Sequence, residues 1–124
     1  MENLFLHGIT QFNSHDFFEC HDVWEELWMD TSGADKLFYQ GLIQIAVGYY
    51  HASHGNYSGA RNLFMKALLK LSAYLPAHHN VDLSALLPVF ESHLRGFQNT
   101  PNEPGNPFDL NNAPAIVLMA QGVS

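Results

Sequence analysis

Apolar side chains recur at intervals of three and four residues along five successive segments of this chain. Because an α-helix repeats every 3.6 residues, this spacing places the apolar residues of each segment on one helix face. No segment alternates apolar and polar residues as a half-buried strand does. The sequence therefore predicts an all-α fold, a compact multihelical bundle of about four to five helices. The predicted helices cover, in approximate numbers, 2–11, 14–29, 34–54, 57–75 and 82–96.

Local signals mark the ends of these predicted helices. Short polar side chains accept hydrogen bonds from free N–H groups at helix starts, and glycine and proline follow helix ends. Asn13 or Ser14 is the predicted N-cap of the second helix, and Asn56 and Asp82 are the predicted N-caps of the last two. Gly55 ends the third helix and Pro76 the fourth. The residues after Pro76, which include two adjacent histidines at 78–79, are expected to form a solvated turn.

A change in composition divides the chain into a helical domain over residues 1–96 and a tail over residues 97–124. The tail contains four prolines and five asparagines, which favour extended structure over helix. Within it, the apolar run 116–119 is expected to pack back on the bundle as a strap or to serve as a dimer contact. The tail is thus predicted to lie on the domain or on a partner subunit, and a homodimer is one expected assembly.

Charge and cysteine content restrict the partners and the compartment. Five Lys and Arg against twelve Asp and Glu give a formal net charge of −7, which opposes binding to nucleic acids and to anionic membranes. No segment reaches the roughly 18 apolar residues of a membrane-spanning helix, and no signal peptide is evident. Cys20 is the single cysteine, so no intrachain disulfide can form. The chain is expected to be soluble, unprocessed and cytoplasmic.

The second predicted helix places charged residues among aromatic ones. His21 and Glu25 are one helical turn apart and therefore adjacent, on the side of the helix that carries Trp24 and Trp28. Glu19 points toward the opposite side. Because charged groups in apolar surroundings need partners, His21 and Glu25 are expected to meet polar groups on a neighbouring helix.

The third predicted helix offers such groups. Gln40, Gln44 and His51 form one polar stripe on an otherwise apolar surface. They are predicted to face His21 and Glu25 across a helix–helix contact that Trp24, Trp28 and Tyr50 shield. Glutamine suits this contact because its amide both donates and accepts hydrogen bonds.

These motifs resemble the signature of a known family. The residues that carry the resemblance lie between 12 and 75: Phe12-Asn13, Phe18-Glu19, His21, Trp24-Glu25, Trp28, Gln40-Gly41-Leu42-Ile43-Gln44, His51, Gly55-Asn56 and Gly59-Ala60. Together they are similar to the domain-of-unknown-function family 309. The resemblance implies a small all-helical fold, found mostly as a stand-alone protein, with no established activity. The family pattern usually has Glu after the motif histidine, where this chain has Asp22.

Three functions of the predicted cluster remain open. It is a hydrogen-bonded structural network, a pocket that binds a small polar ligand or a partner without turnover, or a divalent metal site with His21, Glu25 and His51 as ligands. The metal site carries the alternative function of a metal-dependent, hydrolase-like enzyme. The candidate site residues are Glu19, His21, Trp24, Glu25, Trp28, Gln40, Gln44 and His51.

Overall fold

A computed structural model describes residues 3–119 and shows five α-helices, which confirms the predicted all-α class. The helices are α1 (Leu4–Asn13), α2 (Phe17–Met29), α3 (Ala34–Ala52), α4 (Tyr57–Leu71) and α5 (Leu83–Phe97). A short antiparallel hairpin, β1 (Ala77–His78) and β2 (Val81–Asp82), precedes α5. Its strands contain two residues each, so no alternating pattern could reveal them in the sequence. Pro88 lies inside α5, which continues to Phe97 without interruption.

The central element of the bundle is α3, which packs against α2 on one side and α4 on the other. Ten of its 19 residues are buried, more than in any other helix. Close approach to α4 depends on glycine, since a Cβ added at Gly41 would lie 2.8 Å from the Leu71 side chain. Because α3 is covered on two sides, few of its polar side chains reach solvent freely. Their positions therefore depend on how α2 and α4 pack.

Two predicted helix ends differ from the structure. The fourth helix, predicted to reach residue 75, ends at Leu71, and a short 3-10 helix over Ser72–Tyr74 follows it. The predicted start of the second helix is also wrong. Asp16, not Asn13 or Ser14, is the residue that precedes α2, and His15 adopts a left-handed conformation with φ of 62° in the turn before it. The Asn13 side chain is engaged elsewhere: its amide bonds both the carbonyl oxygen of Ile116, at 3.0 Å, and the N–H of Ile116, at 2.7 Å. A tertiary contact thus replaces the local cap. The predicted N-caps Asn56 and Asp82 are confirmed.

The described end of the tail packs on the bundle as an extended strap. Ile116 is only 3% exposed, and the backbone N–H of Asp82 donates to the carbonyl of Val117 at 3.0 Å. The N–H of Met119 donates to the carbonyl of Asn80 at 2.7 Å. The contacts of Val117 and Met119 are with the hairpin of the same chain. Within residues 3–119, no helix has the length and apolar character needed to cross a bilayer.

A tyrosine–histidine pair, in which Tyr49 is buried and His93 half-buried, links α3 to α5 beneath the tail. The Tyr49 hydroxyl lies 2.7 Å from Nδ1 of His93, and the Phe108 ring of the tail packs against both rings. Burial lowers the pKa of His93 below its ordinary value of 6.5, because the charged imidazolium loses its hydration. The folded protein therefore favours the neutral imidazole, whose Nδ1 lies within hydrogen-bond distance of the Tyr49 hydroxyl.

This pair predicts that the protein loses stability on acidification below about pH 6.5. The unfolded chain binds a proton at His93 more readily than the folded protein does, so the free energy of unfolding falls as pH drops from about 6.5 toward the lowered pKa. One such group contributes at most about 1.4 kcal/mol per pH unit. Urea titrations at several pH values should show that the free energy of unfolding depends less on pH in H93N, whose amide oxygen can occupy the position of Nδ1 and accept from Tyr49. If the free energy of unfolding depends equally on pH in the variant and in the unaltered protein, His93 is not the group responsible.

Candidate functional site

The contact between α2 and α3 holds most of the predicted site residues. The Phe18 ring near the start of α2 lies 5.5 Å from the Tyr50 ring near the end of α3. At the other end, Lys36 of α3 donates from Nζ to the Trp28 carbonyl at 3.2 Å and covers the Trp28 ring at 4.2 Å. The two helices are therefore antiparallel, with His21 and Glu25 between these contacts.

A cleft between the two helices gathers four of the predicted site residues. Its walls are Glu25 and Trp28 from α2 with Gln40, Ile43 and Gln44 from α3, and its volume is about 220 Å³. Ile43 is nearly buried and supplies an apolar wall, whereas Glu25 is 49% exposed and stands at the rim. The cleft therefore combines an aromatic ring, two amides and one carboxylate in a space that accepts a fragment-sized group.

Two polar atoms of the cleft residues are buried without a partner among residues 3–119. They are the indole Nε1 of Trp28 and the amide Oε1 of Gln44. Indole N–H only donates a hydrogen bond and a carbonyl oxygen only accepts one. A buried polar atom without a partner costs about 1–3 kcal/mol, so native structures usually satisfy such atoms. Over residues 3–119, the side chains that line the cleft thus contain one unsatisfied donor and one unsatisfied acceptor, both covered from solvent.

The two predicted histidines lie at the edges of this arrangement and bond to residues near them in sequence. His21 pairs through Nε2 with Glu25 and lies 3.3 Å through Nδ1 from Asp22. His51 lies 3.4 Å through Nδ1 from the Asn56 amide nitrogen, and burial, then the nearby His54, lowers its pKa. Within residues 3–119 no hydrogen bond joins His21 or Glu25 to the glutamines or to His51. The helices share a cleft but not a continuous hydrogen-bond network.

Trp24 and Glu19 lie away from the cleft. Trp24 is 1% exposed, and its indole N–H donates to the carbonyl of Phe5 in α1 at 3.2 Å. It therefore belongs to the core between α1 and α2 and does not shield the cleft. Glu19 is exposed in the first turn of α2, where a carboxylate is favourable to the helix dipole.

The structure assembles a different set of metal-ligand side chains from the predicted one. Over residues 3–119, the one group of three or more His, Cys, Asp or Glu side chains with converging ligand atoms is Asp35, His78 and His79. The predicted trio of His21, Glu25 and His51 is not brought together. Asp35 lies 43 residues before His78, so no local spacing in the sequence could have indicated this group.

Residues 5–63 match the model of the Domain of unknown function (DUF309). The resemblance that the motifs indicated is thereby confirmed over these residues. The DUF309 match contains every residue of the cleft and stops before His78 and His79.

Two relatives of the chain are themselves uncharacterised. The chain is 34% identical over 71 residues to the uncharacterised protein YpuF of Bacillus subtilis (strain 168), an alignment that covers 56% of this chain and 41% of YpuF. It is 27% identical over 99 residues to an uncharacterised protein of Aquifex aeolicus (strain VF5), which covers 79% of this chain and 28% of that protein. The chain therefore spans less than half the length of both relatives, and neither name indicates a specific function.

Proposed function

We propose that the DUF309 segment of this chain is a binding module whose cleft between α2 and α3 takes a small, neutral, planar amide without turnover. The observation that carries this proposal is the pair of buried, unpartnered atoms, Trp28 Nε1 and Gln44 Oε1, on residues that line one cleft. A primary amide offers a carbonyl oxygen to the indole N–H and an N–H to the glutamine oxygen. A primary amide therefore carries the complement of both atoms, and its binding requires the Trp28 and Gln44 side chains to turn these atoms toward the cleft.

Charge and shape support this class of ligand. The Glu25 carboxylate at the rim and the net charge of −7 disfavour anions, so a neutral amide is preferred over a carboxylate of the same shape. The Trp28 ring is held from one side by Lys36, whose ammonium lies 4.2 Å from the ring centre. The indole is therefore preorganised, which lowers the entropic cost of binding. The volume of about 220 Å³ suits a molecule of fragment size.

The test follows the indole N–H signals of the two tryptophans by NMR during a titration with benzamide. The Trp28 signal should shift in a saturable way, with a dissociation constant on the order of millimolar for so small a ligand. The Trp24 signal should stay in place, because its N–H is already bonded to Phe5. Benzoate, which has the same ring but no donor and a negative charge, should not shift Trp28.

Two glutamine variants make this test specific. Q44M removes the unpartnered acceptor and should abolish the benzamide response. Q11M is the matched control, because Gln11 Oε1 is also buried without a partner within residues 3–119 but lies in α1 outside the cleft. Equal shifts of both tryptophans, no saturable shift, or full binding by Q44M each contradict the proposal.

We further propose a setting for this module. The single cysteine, Cys20, is buried, which agrees with a reducing compartment such as the cytoplasm. The negative net charge disfavours nucleic acid as a partner. The tail contacts described above involve this chain alone and therefore do not require a homodimer to order residues 116–119.

A further inference from the structure

We propose that Asp35, His78 and His79 form a binding site for a divalent transition-metal ion, with Zn²⁺ as its probe. We call these three residues the Asp-His-His site. Nε2 of His78 lies 2.9 Å from Oδ1 of Asp35, and Nε2 of His79 lies 3.0 Å from Oδ2 of the same carboxylate. All three ligand atoms lie within 4.8 Å of one another. Two imidazole nitrogens and one carboxylate oxygen form a ligand set that suits Zn²⁺ and other first-row divalent ions.

The present distances are close to those that a bound ion needs. Ligand atoms around tetrahedral Zn²⁺ lie about 3.4 Å apart, given bonds of about 2.1 Å. The contacts of 2.9 and 3.0 Å, which involve the two different oxygens of Asp35, would each lengthen by a few tenths of an ångström, and the remaining distances among the ligand atoms, at most 4.8 Å, would close toward 3.4 Å.

Aromatic packing fixes both imidazole rings before any ion binds. The His79 ring stacks on Tyr39 with an interplanar angle of 10° at 5.8 Å. The His78 ring packs edge-on against Phe38 at 4.6 Å and against Tyr74 at 4.8 Å. Rigid support of this kind orients the ligand nitrogens, and good metal sites depend on such support.

The backbone at the hairpin turn also favours a role for His79. His79 has φ of 47° and the following Asn80 has φ of 63°, so both lie in the left-handed region. The two-residue turn between β1 and β2 requires these angles, which Gly, Asn and Asp usually supply. A histidine with these backbone angles is conformationally unfavourable. A partly exposed ion pair with Asp35 offsets little of that cost. Metal coordination gives this costly placement a function.

Space for further ligands lies beside the site. The side chains of Asp35, His78 and His79 are 41%, 30% and 39% exposed, so an ion held by three protein atoms would keep positions open to solvent. His79 also lines a larger cavity of about 550 Å³ together with Tyr39, Asn80 and Phe5. This site shares no residue with the cleft between α2 and α3, so the tests of the two proposals are independent of each other.

The test is a Zn²⁺ titration of the full chain without a polyhistidine tag, after treatment with a chelator. Isothermal titration calorimetry should give one Zn²⁺ per chain with a dissociation constant on the order of micromolar or tighter. Co²⁺ should bind with the visible absorption of a site of low coordination number, whereas Mg²⁺ should not compete, because it prefers oxygen ligands. Zn²⁺ affinity should fall with decreasing pH, since protons compete for the imidazoles.

Matched variants locate the ion. H79N keeps a residue that tolerates positive φ, and D35N keeps the shape of the carboxylate. Each should weaken Zn²⁺ binding by about 100-fold or more, because even losing a group that only supports a metal ligand costs roughly 10–100-fold. H15N is the control, since His15 also has positive φ, at 62°, but lies outside the Asp-His-His site.

Several outcomes overturn the proposal. They are the absence of saturable Zn²⁺ binding in the unaltered chain, undiminished affinity in H79N and D35N, and an equal loss of affinity in H15N. If either site variant does not fold, the H78Q variant and the Zn²⁺-induced shifts of histidine ring signals in the unaltered chain decide the question. Shifts confined to His78 and His79 support the site, and shifts spread over the other histidines contradict it.

Discussion

Replacement of Trp24 by alanine is expected to lower the free energy of unfolding by about 3–5 kcal/mol, the usual cost of truncating a large buried aromatic side chain. Trp24 is 1% exposed, and its ring packs against the Phe12 ring at 6.0 Å and over Gly8 of α1. The variant loses this packing and leaves a cavity between α1 and α2. It also leaves the Phe5 carbonyl without the indole donor. Urea denaturation followed by circular dichroism measures the loss.

The second tryptophan supplies the control. W28A removes a half-buried ring at the cleft, so it should cost much less stability than W24A, and benzamide binding followed on the NMR signals of benzamide itself should be lost. This comparison separates a core residue from a binding residue, although both tryptophans occur in one sequence motif. A loss of less than about 1 kcal/mol in W24A contradicts the placement of its ring in the core. A larger loss of free energy of unfolding in W28A than in W24A also contradicts this placement.

Replacement of Gly48 by alanine is expected to lower the free energy of unfolding by about 1–3 kcal/mol, because it overpacks the contact between α3 and α4. A Cβ on Gly48 would overlap the Phe64 ring. That ring cannot easily move, since Phe64 is fully buried and packs against Tyr49, Phe90 and Phe97. The steric cost therefore exceeds the gain in helix propensity of roughly 1 kcal/mol that alanine brings.

A glycine in α5 isolates the propensity effect. Gly96 also lies within a helix, but a Cβ added there would have no other atom within 4 Å. G96A should therefore leave the stability unchanged or raise it by up to about 1 kcal/mol. Opposite signs for G48A and G96A in thermal denaturation confirm that the α3–α4 distance depends on the missing side chain. A stabilised G48A contradicts it.

The first half of α3 supplies residues to both proposed sites. Asp35 at its start belongs to the Asp-His-His site, and Gln40 and Gln44, one and two turns further on, line the cleft. The cleft lies inside the DUF309 match over residues 5–63, whereas the two histidines lie beyond it. If both proposals hold, relatives that share only the matched segment would share the amide-binding cleft without the metal site.

Local sequence signals predicted most of the helices. The starts of α3 and α4 were predicted at the observed residues, because the apolar period is set by the 3.6-residue repeat of the helix. The caps at Asn56 and Asp82 followed from the same local chemistry. The error at the start of α2 arose because Asn13 bonds Ile116, which lies 103 residues away in sequence. The division into a domain over 1–96 and a tail over 97–124 stays a prediction.

Sequence periodicity placed Glu25, Trp28, Gln40 and Gln44 near one another because each helix presents one face to its neighbour. It did not decide which polar atoms would find partners, and Trp24 turned toward α1 because that helix packs over the same face of α2.

The amino-acid sequence thus determined the helices, most of their ends and the faces that meet, since these depend on contacts within a few residues. The tertiary structure alone decided that Trp28 and Gln44 keep atoms without a partner among residues 3–119 and that Asp35 meets His78 and His79. These arrangements depend on packing between segments distant in sequence, which no local pattern records.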